Sequence, residues 1–144
     1  MPNEISADTR SVIDAIYAAW AARDVAGTLA GMADDCVYTM HVPTDVLAYG
    51  GTHRGKAAIG TCLQAILVDY SFVAYAVDRL VVDGESAHAQ VIYYYRHTDS
   101  QHQMDGRFRH VWRVTDGRVT RIDEYHDVAR LEAFLAMVHA LIER

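Results

Sequence analysis

Apolar residues recur with two different periods along this chain, and the change of period separates predicted helices from predicted strands. Spacings of three and four predict a helix over residues 6–22 and others that begin near Asp24, Gly55 and Asp127. Aspartate is a typical N-cap, because its side chain accepts a hydrogen bond from the first helical turn. The apolar stripe of the first helix comprises Val12, Ile13, Ile16, Tyr17 and Trp20, and that of the third comprises Ile59, Cys62, Leu63, Ile66 and Leu67.

The segment between the second and third helices predicts one strand and one loop. Asp34 and Asp35 interrupt the helical pattern, and the run 36–42 that follows predicts a short strand ending at Pro43. Residues 49–51, Tyr-Gly-Gly, are expected in a loop.

After the third helix, alternating and β-branched residues predict two hairpins. Residues 71–82 and 86–97 form the first, and Gly106–Asp127 forms the second, with a turn at Asp116-Gly117. The resulting order is helix, helix, strand, helix, four antiparallel strands and helix. This order predicts one two-layer α+β domain that spans residues 1–144.

The second hairpin contains the candidate chemistry. Phe108, His110 and Trp112 alternate with arginines, so a histidine lies on an apolar, aromatic strand face. Asp123, Glu124 and His126 come back across the turn. Titratable groups among aromatic side chains have perturbed pKa values and mark a candidate site, although a structural hydrogen-bonded pair has the same pattern.

The type of turn decides which acid shares a face with His110. A two-residue type I′ turn pairs His110 with Asp123. A three-residue loop with Gly117 in a G1 bulge places His110 on the same face as Glu124. From the turn residues alone, both registers remain open.

Composition narrows the classes of function. The formal net charge of −6 argues against a nucleic-acid surface, and no apolar run is long enough for a membrane span. Cys36 and Cys62 have neither disulfide nor metal spacing, which predicts reduced thiols in a cytoplasmic protein. The eight histidines lack the spacing of a metal site, so no metal is predicted.

Four stretches together resemble a known superfamily. They are Y-x-x-W-x-x-x-D at 17–24, M-A-D-D-C-V-Y at 32–38, Y-G-G-x-x-R-G-K-x-A-I at 49–59 and V-W-R-V-x-D-G-R-V-x-R-I-x-E-Y-x-D at 111–127. The chain resembles the SnoaL-like polyketide cyclases, ketosteroid isomerases, limonene epoxide hydrolases and nuclear transport factor. The resemblance implies a cone-shaped α+β domain, with a curved antiparallel sheet packed against three N-terminal helices and a further helix at the C-terminus.

The cyclases match the candidate residues best. Their acid/base aspartate falls at Glu124, one methylene longer here, and their pocket histidine falls at His110. This match favours the G1-bulge register. The catalytic aspartate of the isomerases falls at Met40 and their oxyanion tyrosine at Ile16, so their mechanism is not implied.

The resemblance also implies a hydrophobic cavity with Glu124 as acid/base and His110 as its partner. The residues expected to bind substrate are Tyr17, Trp20, Tyr38, Met40, Leu63, Trp112, Ile122 and His126, with core packing as the other interpretation of Trp20. Burial is expected to raise the pKa of Glu124, and a charged His110 to lower it.

The expected function is binding of a small apolar or cyclic carbonyl or hydroxy compound, with acid/base chemistry that needs no cofactor. The alternative is a non-catalytic ligand-binding or dimerisation module. Val111 and Tyr125, on the outer face of the sheet, predict a homodimer through that face.

Overall fold

The computed structural model describes residues 4–142 and contains every predicted helix. Its elements are, in chain order, α1 (Glu4–Ala21), α2 (Val25–Ala30), β1 (Met32–His41), β2 (Gly51–Arg54), α3 (Gly55–Asp69), β3 (Tyr70–Asp83), β4 (Ser86–His97), β5 (Gln103–Thr115), β6 (Arg118–His126) and α4 (Val128–Ile142).

The six strands form one curved, unclosed sheet in the order β2-β1-β6-β5-β4-β3. Neighbouring strands are antiparallel except β1 and β6, which run parallel and are joined by the long connection that such a pair requires. The helices pack against this sheet, and the predicted cone-shaped α+β fold is confirmed.

Two predicted aspartate caps hold helix starts in place. Asp24 Oδ1 accepts a hydrogen bond of 2.9 Å from the backbone N–H of Gly27 at the start of α2. Asp127 Oδ1 accepts one of 3.2 Å from the backbone N–H of Arg130 at the start of α4. Each cap satisfies a backbone donor that has no partner within its helix.

The region between α2 and α3 differs from the prediction in two ways. Strand β1 begins at Met32, so Asp34 and Asp35 lie inside a strand, where both are exposed. Gly51, the last residue of the predicted loop, begins an edge strand, β2, that the sequence did not predict. The four residues of β2 show no alternation of apolar and polar side chains, and they pair with β1 alone. Pairing with β1 therefore makes this segment a strand.

The second hairpin combines features of both predicted registers. Asp116 and Gly117 have φ values of +52° and +76°, so the turn is the two-residue type I′ and not the G1-bulge loop. Strand β6 then contains an extra residue, because Val114 pairs with Val119 whereas Arg113 pairs with Arg121.

Thr120 is that extra residue, and its hydroxyl reaches the carbonyl oxygen of Arg113 at 3.4 Å. The bulge shifts the register by one, so His110 pairs with Glu124. The favoured register is therefore present, but a bulge within the strand produces it.

Candidate functional site

A cavity of about 100 Å³ lies between the sheet and the helices, and all the candidate residues line it. These residues are Tyr17, Trp20, Tyr38, Met40, Leu63, His110, Trp112, Ile122, Glu124 and His126. Most of the other lining residues are aromatic or aliphatic. The topology therefore brings a few polar groups from α1, β1, β5 and β6 into one apolar space.

Glu124 is the charged centre of this cavity and is only 7% exposed. Its Oε1 accepts hydrogen bonds from the Tyr38 hydroxyl at 2.9 Å and from His110 Nε2 at 2.6 Å. Its Oε2 accepts one from His126 Nε2 at 2.7 Å. An ionised carboxylate can only accept, so both histidines carry a proton on Nε2.

The pKa of Glu124 lies below its ordinary value, so of the two opposing effects that the sequence predicted, the lowering by histidine outweighs the raising by burial. Burial by itself raises this pKa, but the hydrogen bonds that His110 and His126 donate are the main causes that lower it, and the net shift is downward. The sequence interpretation expected His110 to change the pKa of Glu124, and it assigned His126 to substrate binding and not to this effect. With both histidines present, Glu124 is an ionised carboxylate at neutral pH.

His110 is held at both ring nitrogens. Its Nδ1 lies 2.6 Å from the Tyr17 hydroxyl, and Trp112 Nε1 donates a hydrogen bond of 3.1 Å to the same hydroxyl oxygen. Burial raises the pKa of Tyr17 far above its ordinary value, so Tyr17 keeps its proton. In the neutral imidazole, Tyr17 O–H therefore donates to Nδ1 while Nε2–H donates to Glu124.

His126 is held at one nitrogen only. Its Nε2 bonds Glu124, whereas its Nδ1 makes no hydrogen bond within residues 4–142. The ring packs against Phe108 at 5.0 Å between centroids, and its side chain is 12% exposed. The two histidines of the site therefore differ in how much hydrogen-bonding capacity remains.

Several residues predicted to bind substrate already use their polar atoms within the protein. Trp112 is 3% exposed and donates to Tyr17, while Tyr38 donates to Glu124. Trp20 lines the cavity and also packs against Phe72 at 5.4 Å, so it has core contacts, and substrate binding by Trp20 stays a prediction. Of these side chains, Met40, Leu63 and Ile122 contribute apolar wall.

Tyr75 on β3 is a cavity residue that the sequence interpretation missed. Its ring lies 6.5 Å from that of Tyr17, and its hydroxyl makes no hydrogen bond within the described chain. Burial raises its pKa well above the ordinary value, with Tyr95, Tyr17 and Glu124 adding to the effect. The phenol thus stays protonated and has a free donor.

The reason that Tyr75 was missed is a second irregularity in the sheet. Phe72 pairs with Tyr95 and Ala74 with Tyr94, so Val73 is an extra residue in β3. The bulge places Phe72 and Tyr75, three residues apart, on the same face, where their rings stack at 5.7 Å between centroids. Period-two alternation cannot identify such a pair, and their aromatic character is the remaining signal.

No group of three or more His, Cys, Asp or Glu side chains within the described residues could hold a metal ion. None of the helices in residues 4–142 is long and apolar enough to cross a membrane.

Solved structures with the same architecture support the fold. An NTF2-like protein of unknown function from Burkholderia pseudomallei has a TM-score of 0.76 at 22% identity, with 86% of this chain and 94% of that chain covered. TerC, co-crystallized with polyporic acid, has a TM-score of 0.74 at 25% identity, with 95% and 99% covered. An LEH-like epoxide hydrolase from M. tuberculosis has a TM-score of 0.72 at 18% identity, with 96% and 98% covered.

No protein of curated function matches the chain by sequence. A family model does match, and it covers residues 13–122, which is most of the chain. Its description is "SnoaL-like domain", and the chain therefore belongs to the SnoaL-like family.

Proposed function

We propose that the cavity binds a small apolar or cyclic carbonyl or hydroxy compound and that the protein transfers a proton on it without a cofactor. The observation that carries this proposal is the buried, ionised Glu124 with a histidine on each carboxylate oxygen, set in an otherwise apolar wall. Titratable groups arranged in this way are typical of acid/base sites.

Isomerisation, cyclisation, dehydration and hydrolysis are the reaction types that such a group serves, since each moves a proton to or from carbon or oxygen. A cavity that excludes water strengthens the interaction of developing charge with fixed dipoles. The aromatic wall favours a flat or cyclic ligand over an extended polar one.

The size of the cavity limits the ligand. An engineered apolar cavity of roughly 150 Å³ binds benzene. A volume of about 100 Å³ is smaller than this, so a compound of one ring already needs a small movement of the walls, and a polycyclic ligand needs a larger one.

Similar structures support ligand binding without deciding the chemistry. TerC was co-crystallized with polyporic acid, and the M. tuberculosis protein is an epoxide hydrolase. The family match ends at residue 122, before Glu124 and His126, so the proposed chemistry is argued from the geometry of these side chains.

The test is exchange of the α-protons of cyclohexanone in D₂O, which reports proton transfer at carbon without a known substrate. We expect the parent protein to accelerate exchange and Glu124→Gln to lower that rate by about 10²–10⁴-fold. Asp123→Asn, on the outer face, is the matched control and should retain the parent rate. Binding of cyclohexanone without any acceleration would contradict proton transfer.

A non-catalytic ligand-binding or dimerisation module is the second candidate. The observation in its favour is that the three donors around Glu124 already satisfy its carboxylate within the protein, as in a structural network. Native mass spectrometry of the purified protein separates the two: a retained ligand together with no exchange activity supports a binding module.

The proposal includes a homodimer in the cytoplasm. Tyr125 is 36% exposed on the outer sheet face. Its ring stacks on that of His41 at 4.3 Å between centroids, and the Arg109 guanidinium carbon lies 5.4 Å from the Tyr125 ring centroid. Flat aromatic and arginine side chains of this kind suit a two-fold interface. Sedimentation at the 16.1 kDa monomer mass would contradict the dimer.

The cytoplasmic location is supported by the two cysteines. Cys36 and Cys62 are both free and buried, which suits a reducing compartment.

A further inference from the structure

We infer that His126 exchanges the proton with the ligand through its Nδ1 atom, and that Glu124 and His110 hold His126 and the site in place. This inference rests on the proposed function and names the reacting atom of the same site. It reassigns His126, which the sequence interpretation treated as a substrate-binding residue.

The first argument is the asymmetry between the two histidines. Both donate from Nε2 to Glu124, at 2.6 Å for His110 and 2.7 Å for His126. The second nitrogen of His110 is occupied by Tyr17, whose hydroxyl is in turn held by Trp112. Within the described residues, the second nitrogen of His126 has no hydrogen-bond partner, so it alone of the pair is free to accept a proton.

The second argument concerns Glu124 itself. Three donors, from Tyr38, His110 and His126, already bond its carboxylate. These bonds stabilise the ionised form, and a carboxylate stabilised in this way is a weak base. Its chemical contribution is to orient an imidazole and to stabilise the positive charge that the imidazole acquires.

The Glu124–His126 pair has the components of a carboxylate–histidine dyad. The bond to Oε2 keeps the proton of the neutral imidazole on Nε2 and leaves a lone pair on Nδ1. Packing against Phe108 and, at 6.4 Å between centroids, against Tyr93 fixes the plane of the ring. A carboxylate in this arrangement orients the base and stabilises the imidazolium without taking the proton itself.

The proposed step balances without a further reactant. A C–H or O–H bond of the ligand breaks, its proton joins Nδ1, and the electron pair stays on the ligand as an enolate or alkoxide. The imidazolium formed on His126 is paired with ionised Glu124, so the pair has no net charge. The same proton then returns to another atom of the ligand or to a leaving oxygen.

The test is ¹⁵N NMR of the histidine ring nitrogens, with phenol and toluene as single-ring probes. In the free protein we expect His126 to carry its proton on Nε2 and to have an unprotonated Nδ1. Phenol, which can donate from its hydroxyl, should move the His126 Nδ1 resonance toward the protonated value. Toluene fills the same space without a donor and should leave the His126 Nδ1 resonance nearly unshifted. Neither phenol nor toluene should shift the resonance of His110 Nδ1.

Variants that conserve the hydrogen bond to Glu124 assign these resonances and test the chemistry. His126→Gln and His110→Gln both offer an amide N–H near the position of Nε2 but have no basic nitrogen. In the cyclohexanone exchange assay, His126→Gln should lose about 10²–10⁴-fold in rate, the usual contribution of a general base. His110→Gln should lose less, because its role is positional.

Three results would overturn the inference. The first is a proton on His126 Nδ1 in the free protein, and the second is a phenol-dependent shift at His110 Nδ1 instead. The third is a His126→Gln variant that folds and exchanges cyclohexanone protons at the parent rate. If neither phenol nor toluene perturbs any cavity resonance, the proposed ligand cavity fails together with this inference, whereas the first three results leave ligand binding intact.

Discussion

Asp123 and Glu124 are adjacent on β6, but they lie on opposite faces of the sheet. Asp123 faces outward, where Arg121 Nε and His41 Nε2 each lie 2.9 Å from its carboxylate. Glu124 faces the cavity and receives its hydrogen bonds from two histidines and a tyrosine. In both cases burial raises the pKa and the bonded partners lower it by more, so both acids are ionised.

What separates the two acids is therefore their surroundings and not their charge state. Asp123 is bonded by an arginine whose side chain is 52% exposed, and water screens such a pair. The two carboxylate side chains are themselves similarly covered, at 13% exposure for Asp123 and 9% for Glu124, but the histidine partners of Glu124 are also covered and line the cavity. Acidic residues that lie near basic ones in a sequence are thus weak evidence for a functional site until it is known which face of the sheet each side chain lies on.

The largest expected difference between the two acids is in stability. Glu124→Ala leaves three buried donors without their acceptor and should lower the free energy of unfolding by about 3–5 kcal/mol. Asp123→Ala breaks ion pairs whose basic partners, Arg121 and His41, are exposed to water at 52% and 39%, and should cost at most about 1 kcal/mol. Urea unfolding of both variants measures the two losses, and equal losses would contradict the comparison.

Acid should destabilise the protein through Glu124 in a defined pH range. The folded-state pKa of Glu124 is below the unfolded value of about 4.3, so its contribution is complete above that value. The contribution is lost as pH falls from about 4 toward the folded-state pKa. Glu124→Gln should therefore show a shallower loss of stability with falling pH than the parent, measured by urea unfolding at several pH values.

Asp123→Asn is the control for this pH dependence. The pKa of Asp123 in the parent protein is also lowered, but the basic partners of Asp123 are exposed to water. The Asp123→Asn variant should therefore retain most of the parent's acid sensitivity. If Asp123→Asn removes more of the pH dependence than Glu124→Gln does, the outer acid is the more strongly stabilised one.

The smallest effect concerns two tyrosines on opposite faces. The Tyr75 hydroxyl has no partner in the described chain and lines the cavity, whereas the Tyr94 hydroxyl bonds Gln103 on the exposed side. Tyr75→Phe should weaken cyclohexanone binding by about 2–10-fold, the equivalent of one neutral hydrogen bond, with little change in stability.

Tyr94→Phe should leave the dissociation constant unchanged, as measured by titration under the same conditions. Equal affinity of the parent and Tyr75→Phe would remove Tyr75 from the ligand site while leaving the cavity proposal in place.

Local patterns predicted much of this molecule because they depend on residues close in sequence. The helices follow from their 3.6-residue period, and the caps at Asp24 and Asp127 follow from a side chain within reach of its own first turn. The position of the turn at Asp116-Gly117 follows from residues that tolerate positive φ, whereas its two-residue type was only one of the two that these residues left open. With the family resemblance, these patterns also identified the residues that meet in the cavity.

Tertiary structure decided the features that depend on a distant partner. The extra residues Thr120 and Val73 arise from how neighbouring strands pair, and they determine that Glu124 and Tyr75 face inward. The direction of the Glu124 pKa shift likewise depends on side chains from β1, β5 and β6 that meet only in the folded chain. The sequence by itself therefore determined the helices and most of the strands, because these follow from local period and turn chemistry, and most of the candidate residues came from its resemblance to a family. The folded sheet decided which acid faces the cavity and in which charge state, because register and electrostatics are properties of contacts between strands.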